Sequence, residues 1–314
     1  MKSDLFSTEV LNSRFISEKF ISVESPTLIL LLGMHGNETA GIEAVNKILN
    51  GIESQGKWGE FKGNLYVIKA NVKALEKAVR YQDVDLNRLW EPEQVERVMA
   101  KETNLNSEEK EQKELIGVLN KILKTHTGKI YFADMHTTSS VTPPFIVHLD
   151  SKENRRFSSY FSTSVVLGIE DFIKGTLFDF IDDKVEVSIV FEAGQHQAES
   201  SVTASENFIL KLLEVTQLLP LESIKDISSS NTNIEAGLSH KKSVFRIVYR
   251  HRIENGVAFK MKAGFVNFQK IEQSEILAWY DAKEVRAKEE AYIFMPLYQD
   301  KGSDGFFTII KVTT

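Results

Sequence analysis

His35 and Glu38, three residues apart, are the pair in this sequence whose types and spacing most clearly suggest chemistry. An imidazole and a carboxylate at this spacing can reach one cation, and two histidines with one glutamate form a zinc set that leaves a coordination position open for water. The pair alone is weak evidence, because short H-x-x-E motifs occur by chance and Asn37 or Thr39 could simply cap a following helix. Evidence from further along the chain is therefore needed.

A second histidine, His136, follows an apolar segment, residues 129–135, that is predicted to be a strand. Asp134, two residues earlier, could hydrogen-bond the imidazole and orient it. A lone histidine at the end of a strand is more often structural. Together with His35 and Glu38, however, it completes a three-ligand set, and we predict one zinc ion per chain.

A carboxylate, Glu192, follows another predicted strand, residues 185–191, and precedes Ala193-Gly194. This is where a general base acting on water at a metal site would lie. A solvated carboxylate in a turn is an equally good interpretation of this segment taken alone.

The polar segment of residues 80–88 carries two arginines, Arg80 and Arg88, eight positions apart. Their planar guanidinium groups suit a carboxylate ligand. The alternative is a solvated loop with a local Asp–Arg pair, since surface ion pairs are common.

The elements around these residues predict a parallel sheet. The apolar run of residues 28–32 ends at Gly33 and is typical of a strand buried on both faces. A helix is predicted from residue 40 to a stop at Asn50-Gly51, and a strand over residues 64–70. This strand–helix–strand order favours a sheet whose chemistry lies at the carboxyl ends of its strands.

Further helices are predicted over residues 107–124 and 199–218. The pattern changes near residue 221, where a polar run over residues 227–233 precedes short segments rich in Val, Phe, Ile and Tyr. We therefore predict an α/β catalytic domain over residues 1–222 and a smaller, mostly β domain over residues 223–314.

The composition is that of an ordinary globular protein, with 42% hydrophobic and 26% charged residues. A net charge of −6 argues against a general nucleic-acid binder. Cysteine is absent, which excludes thiolate zinc ligands and disulfides. Neither a secretory signal nor an apolar run of membrane-spanning length is visible, so a cytoplasmic location without membrane contact is expected.

Four motifs in order, G-M-H-G-N-E, R-Y-Q-D-V-D-L-N-R, D-M-H-T and F-E-A-G, resemble those of the succinylglutamate desuccinylase/aspartoacylase family. The resemblance covers most of the chain and implies a zinc enzyme with the zinc-carboxypeptidase fold, a mixed or parallel sheet flanked by helices. It implies zinc ligation by His35, Glu38 and His136, and catalysis by Glu192. It also implies that Arg80, Asn87 and Arg88 bind the substrate carboxylate and polarise the carbonyl.

The sequence departs from aspartoacylases in one segment. Those enzymes carry an arginine shortly before the catalytic glutamate that helps to hold the second carboxylate of the substrate, whereas residues 180–187 here read F-I-D-D-K-V-E-V. Neutral N-acyl amino acids are therefore expected to compete with the dicarboxylic ones. If they do not compete, Arg155 and Arg156 are the first residues to test as substitutes for the missing arginine. Tyr298 lies only near the place of the family's C-terminal substrate tyrosine.

The predicted function is zinc-dependent hydrolysis of the amide bond of a small, anionic N-acyl amino acid. Two alternatives remain open, namely a zinc carboxypeptidase or amidase acting on peptides, and a catalytically inactive binding protein. No nucleic-acid or membrane partner is predicted, and a homo-oligomer is left open.

Overall fold

The computed structural model describes residues 14–227, 242–254, 256–299 and 302–312. The polar run predicted as a linker falls mostly on residues 228–233, which lie outside the described residues.

Fourteen strands and eight α-helices are present in these ranges. The strands are β1 Phe15–Lys19, β2 Thr27–Leu32, β3 Asn64–Lys69, β4 Ile130–Thr138, β5 Phe145–Val147, β6 Ser164–Leu167, β7 Val187–Gln195, β8 Val244–Arg252, β9 Phe259–Met261, β10 Lys270–Ile271, β11 Ile276–Tyr280, β12 Lys283–Arg286, β13 Ala291–Phe294 and β14 Asp304–Val312. The helices are α1 Ala40–Ser54, α2 Val72–Glu76, α3 Pro92–Ala100, α4 Ser107–Thr125, α5 Lys152–Ser158, α6 Leu177–Ile181, α7 Glu199–Val215 and α8 Leu221–Ile227.

Eleven of the described strands form one mixed sheet in the order β1-β3-β2-β4-β7-β5-β6-β8-β14-β13-β10. Strands β3, β2, β4 and β7 run parallel, and β5 pairs antiparallel with β7. The strands β8, β10, β13 and β14 of the C-terminal region continue the sheet through the parallel pairing of β6 with β8. The predicted fold class, a large mixed sheet flanked by helices with a β-rich C-terminal region, is confirmed. The domain boundary at residue 222 stays a prediction.

Strand β2 is buried on both faces, as its unbroken apolar run predicts. Leu28, Leu30 and Leu32 pack into the core layer that contains α1 and α7, whereas Ile29 and Leu31 pack into the layer that contains α4. Since the side chains of a strand alternate between its faces, a strand between two helical layers must be apolar at every position.

The predicted ends of four elements differ from the structure by three residues or more. Helix α1 continues past Asn50-Gly51 to Ser54, because Gly51 is a packing position: a Cβ there would lie 2.8 Å from Ile227 of α8. Strands β4 and β7 extend to residues 138 and 195. His136 and Glu192 therefore lie inside these strands, near their carboxyl ends, rather than after them. Helix α7 ends at Val215 rather than at residue 218.

Among the described residues, no helix combines the length and the apolar character that crossing a membrane requires.

Candidate metal centre and active site

His35, Glu38 and His136 converge at the carboxyl ends of β2 and β4. His35 Nδ1 lies 2.8 Å from Glu38 Oε1, and His136 Nδ1 lies 3.1 Å from Glu38 Oε2. All three side chains are buried, and their ligand atoms lie within 4.8 Å of one another. The arrangement brings together two imidazole nitrogens and one carboxylate, which is a donor set suited to zinc.

Each histidine also faces a second carboxylate through its other ring nitrogen. His35 Nε2 lies 3.2 Å from Asp85 Oδ1, and His136 Nε2 lies 3.0 Å from Asp134 Oδ2. Such outer carboxylates fix the ring orientation of a metal-binding histidine and increase its basicity. Asp134 lies at the distance expected for its predicted role, but its oxygens and His136 Nε2 form no hydrogen bond among the described residues. Asp85 was not singled out from the sequence.

The backbone around His35 takes a course that requires glycine. Gly33 has a φ of 67°, in the left-handed region, and the N–H of Gly36 donates to the carbonyl of Arg80 at 3.2 Å. A Cβ on Gly36 would lie 2.1 Å from the backbone of Ala74, so only glycine permits this approach to α2. The G-M-H-G sequence thus sets the position of His35 against the loop that carries Arg80.

The electrostatics of the centre favour a cation. Burial alone would lower the pKa of His136, but Asp134 and Glu38 raise it well above its ordinary value. Burial would raise the pKa of Glu38, but His35 and His136 lower it well below its ordinary value. Groups that stabilise a buried imidazolium create a negative potential, and the same potential would stabilise a bound divalent ion.

Glu192 lies on β7 beside this centre, directly opposite His136 in the parallel register of β4 and β7. Its Oε2 atom is buried and has no hydrogen-bond partner among the described residues. Burial, with smaller contributions from Glu38 and Asp134, raises the pKa of Glu192 to about 8. Glu192 is therefore a buried carboxyl group that lines the same cavity as the three candidate ligands and keeps one oxygen without a hydrogen-bond partner among the described residues.

Arg80 lies in the same cavity, held between two carboxylates. Its Nη2 donates to Asp85 Oδ2 at 3.1 Å, and its Nη1 lies 3.6 Å from Glu38 Oε1. Burial would lower the pKa of Arg80, but Asp85 and Glu38 raise it, so the guanidinium stays charged. Its Nε has no partner among the described residues.

Asn87 and Arg88 line the same cavity. Asn87 Oδ1 accepts from the N–H of Leu177 at 2.9 Å, which leaves its amide nitrogen available as a donor. Arg88 Nη2 lies 3.6 Å from Asp304 Oδ2, and Arg250 Nε donates to the other oxygen of Asp304 at 2.5 Å. Strand β14 of the C-terminal region thus reaches the predicted substrate-binding arginine.

The loop before Asp85 is held by Glu108, a buried residue of α4 whose role the sequence did not reveal. Its two carboxylate oxygens accept the N–H groups of Gln82 at 2.8 Å, Asp83 at 3.0 Å and Val84 at 3.3 Å. One carboxylate that satisfies three backbone donors fixes the loop that carries Arg80 and Arg88.

Replacing Glu108 with alanine should therefore lower the free energy of unfolding by about 2–4 kcal/mol, because buried backbone donors lose charged acceptors. Urea unfolding followed by circular dichroism would measure this loss. Glu102→Ala, at an exposed position just before α4, is the matched control and should change it by less than about 0.5 kcal/mol. A loss in Glu108→Ala no larger than in the control would contradict the role given to Glu108.

His196 is a third residue, after Asp85 and Glu108, whose role the sequence did not reveal. Its Nδ1 lies 2.8 Å from Thr137 Oγ1, and its Nε2 lies 3.4 Å from Gln299 Oε1. The N–H of Thr137 in turn donates to Glu38 Oε2 at 2.9 Å. His196 thus connects the C-terminal region to the backbone beside a candidate metal ligand. In the sequence, the one indication of this role was the position of His196, four residues after Glu192.

Three other predicted candidates lie away from the centre. Arg155 and Arg156 are exposed on α5, and Arg155 pairs with Asp150. The hydroxyl of Tyr298 donates to the carbonyl of Lys262 at 2.9 Å and accepts from the N–H of Phe265 at 3.1 Å. None of the three lines the cavity that holds Glu192.

Comparison with known proteins identifies the family. The model of the succinylglutamate desuccinylase/aspartoacylase catalytic domain matches residues 24–198, more than half of the chain. A Pseudomonas fluorescens succinylglutamate desuccinylase is 35% identical over 86 residues, which span 24% of this chain and only 25% of that protein. One from Photorhabdus laumondii is 23% identical over 290 residues, or 87% of this chain and 84% of that protein.

A solved structure shares the fold. The succinylglutamate desuccinylase from Vibrio parahaemolyticus superposes with a TM-score of 0.66 at 16% sequence identity, and the match covers 98% of this chain and 96% of that one. All four motifs noted in the sequence lie within the matched residues 24–198. The chain therefore belongs to the succinylglutamate desuccinylase/aspartoacylase family.

Proposed function

We propose that this protein is a zinc-dependent hydrolase that cleaves the amide bond of a small N-acyl amino acid. The observation that carries the proposal is the convergence of His35, Glu38 and His136 in one buried cavity with Glu192, whose carboxylate oxygen has no hydrogen-bond partner among the described residues. A ligand set and a free carboxylate at this proximity are the parts that metal-assisted hydrolysis needs. Family membership supports the deacylase class.

His35, Glu38 and His136 would hold the zinc ion, and the donor chemistry fits it. Both imidazoles direct Nδ1 toward the Glu38 carboxylate, and their other ring nitrogens lie 3.2 Å from Asp85 and 3.0 Å from Asp134. When bound, zinc supplies Lewis acidity, which lowers the pKa of water and polarises a carbonyl group.

Glu192 is proposed as the general base and, later, the general acid. It takes a proton from the attacking water as the C–O bond forms, and it returns that proton to the nitrogen as the C–N bond breaks. The products are a carboxylate and a free amine. The burial that raises the pKa of Glu192 also favours a carboxyl group able to exchange a proton near neutral pH.

Arg80, Asn87 and Arg88 are proposed to hold the substrate. Arg80, fixed by Asp85, would stabilise the negative charge that develops on the carbonyl oxygen. Arg88 and the amide nitrogen of Asn87 would bind the α-carboxylate. The partial neutralisation of Arg88 by Asp304, at 3.6 Å, is compatible with a side chain that exchanges this contact for a substrate carboxylate.

The two arginines should have different kinetic effects. Arg80→Ala is expected chiefly to lower kcat, by about a hundredfold or more, because the oxyanion is present only in the transition state. Arg88→Ala is expected chiefly to raise KM, because the α-carboxylate is bound equally in the ground and transition states. Steady-state kinetics would separate the two effects, with Arg155→Ala on α5 as an exposed arginine control. Equal effects of both variants on kcat and KM would contradict this division of roles.

The test of the proposed function is a substrate screen of the purified, zinc-supplied protein. N-acyl amino acids, their α-amide derivatives and dipeptides would be compared by release of free amine. We expect hydrolysis of N-acyl amino acids, with a large loss when the α-carboxylate is masked. Preference for extended peptides would identify a carboxypeptidase or amidase, and binding without turnover would identify an inactive relative.

The C-terminal region supports the choice of a small substrate. Residues 295–297 and 302–304 line a second cavity that shares Arg80, Arg88 and Thr137 with the first. A segment lying over this side of the centre would hinder an extended peptide. The cytoplasmic location and the anionic substrate remain predictions from the sequence, and a homo-oligomer remains open.

A further inference from the structure

An apolar surface faces the proposed zinc set across a cavity of about 90 Å³. We call this surface the apolar wall; it consists of Val147, Ile169, Ile173, Phe178, Val190 and Met295. The space is enough for several water-sized groups and is too small for a long chain. The polar side of the same cavity holds Glu192 and the two proposed substrate-binding arginines.

Part of the apolar wall lies on β7, the strand that carries the proposed base, and on the neighbouring strand β5. Val147 of β5 lies opposite Val190 of β7, and Phe145 lies opposite Glu192 in the same antiparallel register. Since side chains alternate along a strand, Val190 and Glu192 project from the same face. The apolar wall therefore begins one side chain away from Glu192.

Three further wall residues, Ile169, Ile173 and Phe178, belong to a segment beside the proposed α-carboxylate site. The segment of residues 169–178 is joined to residues 87–90 by two hydrogen bonds, Leu177 N–H to Asn87 Oδ1 at 2.9 Å and Trp90 N–H to Gly175 O at 3.1 Å. This places Ile173 and Phe178 beside Asn87 and Arg88. The side chain of an amino acid branches from the carbon that bears its α-carboxylate, so a substrate held there would turn its side chain toward this wall.

In the part of the chain that the structure describes, the cavity contains no cationic group that is left to pair with a carboxylate on the substrate side chain. Apart from the candidate histidine ligands, the basic side chains among its described lining residues are Arg80 and Arg88. Both are already assigned to the carbonyl and the α-carboxylate, and they lie close to Asp85 and Asp304 respectively. A carboxylate on the substrate side chain would be desolvated against apolar carbons, which is strongly unfavourable without a paired charge.

We propose that the apolar wall binds the amino-acid side chain of the substrate, and that this side chain is small and apolar, of about the size of valine. The inference rests on the proposed function and narrows its substrate class. Buried apolar surface supplies the binding energy, and the fixed positive charge serves the backbone carboxylate.

The test holds the acyl group constant and varies the amino acid. kcat/KM would be measured for the N-acetyl derivatives of glycine, valine, aspartate and glutamate. N-acetylvaline should exceed N-acetylglycine by about tenfold or more, as expected for added methyl groups in an apolar pocket. It should exceed both dicarboxylic substrates by at least about tenfold, because their side-chain carboxylates lose water without gaining a partner. A preference of tenfold or more for N-acetylaspartate or N-acetylglutamate would overturn the proposal.

An arginine placed in the wall provides the converse test. Ile173→Arg should shift the ratio of kcat/KM for N-acetylaspartate over N-acetylvaline upward by at least about tenfold, because the new cation pairs with the side-chain carboxylate. Ile310→Arg, at an exposed position on β14, adds the same charge elsewhere and should leave the ratio unchanged. If Ile173→Arg does not fold, Ile173→Ala should instead raise kcat/KM for N-acetylleucine relative to that for N-acetylvaline. No change of the ratio in a folded variant would contradict the proposal.

A binding measurement separates this inference from the proposed reaction. Zinc-supplied Glu192→Gln would be titrated with N-acetylvaline and N-acetylaspartate in a calorimeter. Tighter binding of N-acetylvaline, with no hydrolysis of either by the wild-type protein, would reject the reaction but support the apolar subsite. Tighter binding of N-acetylaspartate, or no binding of either, would reject the subsite itself.

Discussion

Glu192→Gln is expected to retain the fold and the bound zinc but to lower kcat by about two to four orders of magnitude, the usual cost of removing a general base. The amide of glutamine has nearly the same shape as the carboxylate but cannot accept the proton. Glu192 Oε2 has no hydrogen-bond partner among the described residues, so the change breaks no hydrogen bond at that atom. Pre-steady-state and steady-state release of amine from the same N-acyl amino acid would measure the loss.

Glu186→Gln is the matched control for this experiment. Glu186 lies just before β7 and pairs with Lys129 at the surface, so it is close to the same strand but does not line the cavity. The control should keep normal turnover. Near-normal kcat in Glu192→Gln, with normal zinc content, would mean that another group is the base.

His136→Ala is expected to lose the zinc ion and with it nearly all activity. Removing an outer partner of a metal ligand typically weakens metal binding by about 10–100-fold, and removing the ligand itself should cost more. Competition with a chromophoric chelator would give the affinities of wild type and variant. The loss of zinc should be measurable directly, as a lower metal content of the variant, without an assay of turnover.

His126→Ala separates loss of a ligand from loss of a buried histidine. His126 is buried beside Tyr66 and Asn64, and its Nε2 lies 2.9 Å from the Tyr66 hydroxyl, so it belongs to the core rather than to the cavity. The variant should be less stable but should bind one zinc ion with unchanged affinity. Equal zinc binding by His136→Ala and wild type would remove His136 from the ligand set.

The placement of the candidate ligands could be predicted because it depends on local patterns. An unbroken apolar run identifies β2, and largely apolar segments identify β4 and β7, as strands of one sheet, and the carboxyl ends of parallel strands meet at one edge of a sheet. His35, His136 and Glu192 therefore lie together at this edge. The exact ends of β4 and β7 could not be predicted, because their last residues pair with each other across a register shift.

The supporting residues could not be predicted because their roles depend on contacts distant in sequence. Glu108 serves a loop more than twenty residues earlier, and Asp304 reaches Arg88 from β14. Neither stands in a motif whose spacing indicates its partner. Likewise the missing arginine before Glu192 indicated only weaker selection for acidic substrates, whereas the apolar wall is visible only once β5, β7 and residues 169–178 are assembled.

The central claim, that a zinc ion at His35, Glu38 and His136 is required to hydrolyse an N-acyl amino acid, is tested most directly by a metal titration. The purified protein would be stripped with a chelator, and zinc would be returned in known steps while amine release from an N-acyl amino acid is followed. We expect no activity without metal and a linear rise that saturates at about one equivalent of zinc per chain. Full activity in the stripped protein, or saturation with zinc and still no amine released from any N-acyl amino acid, would contradict it.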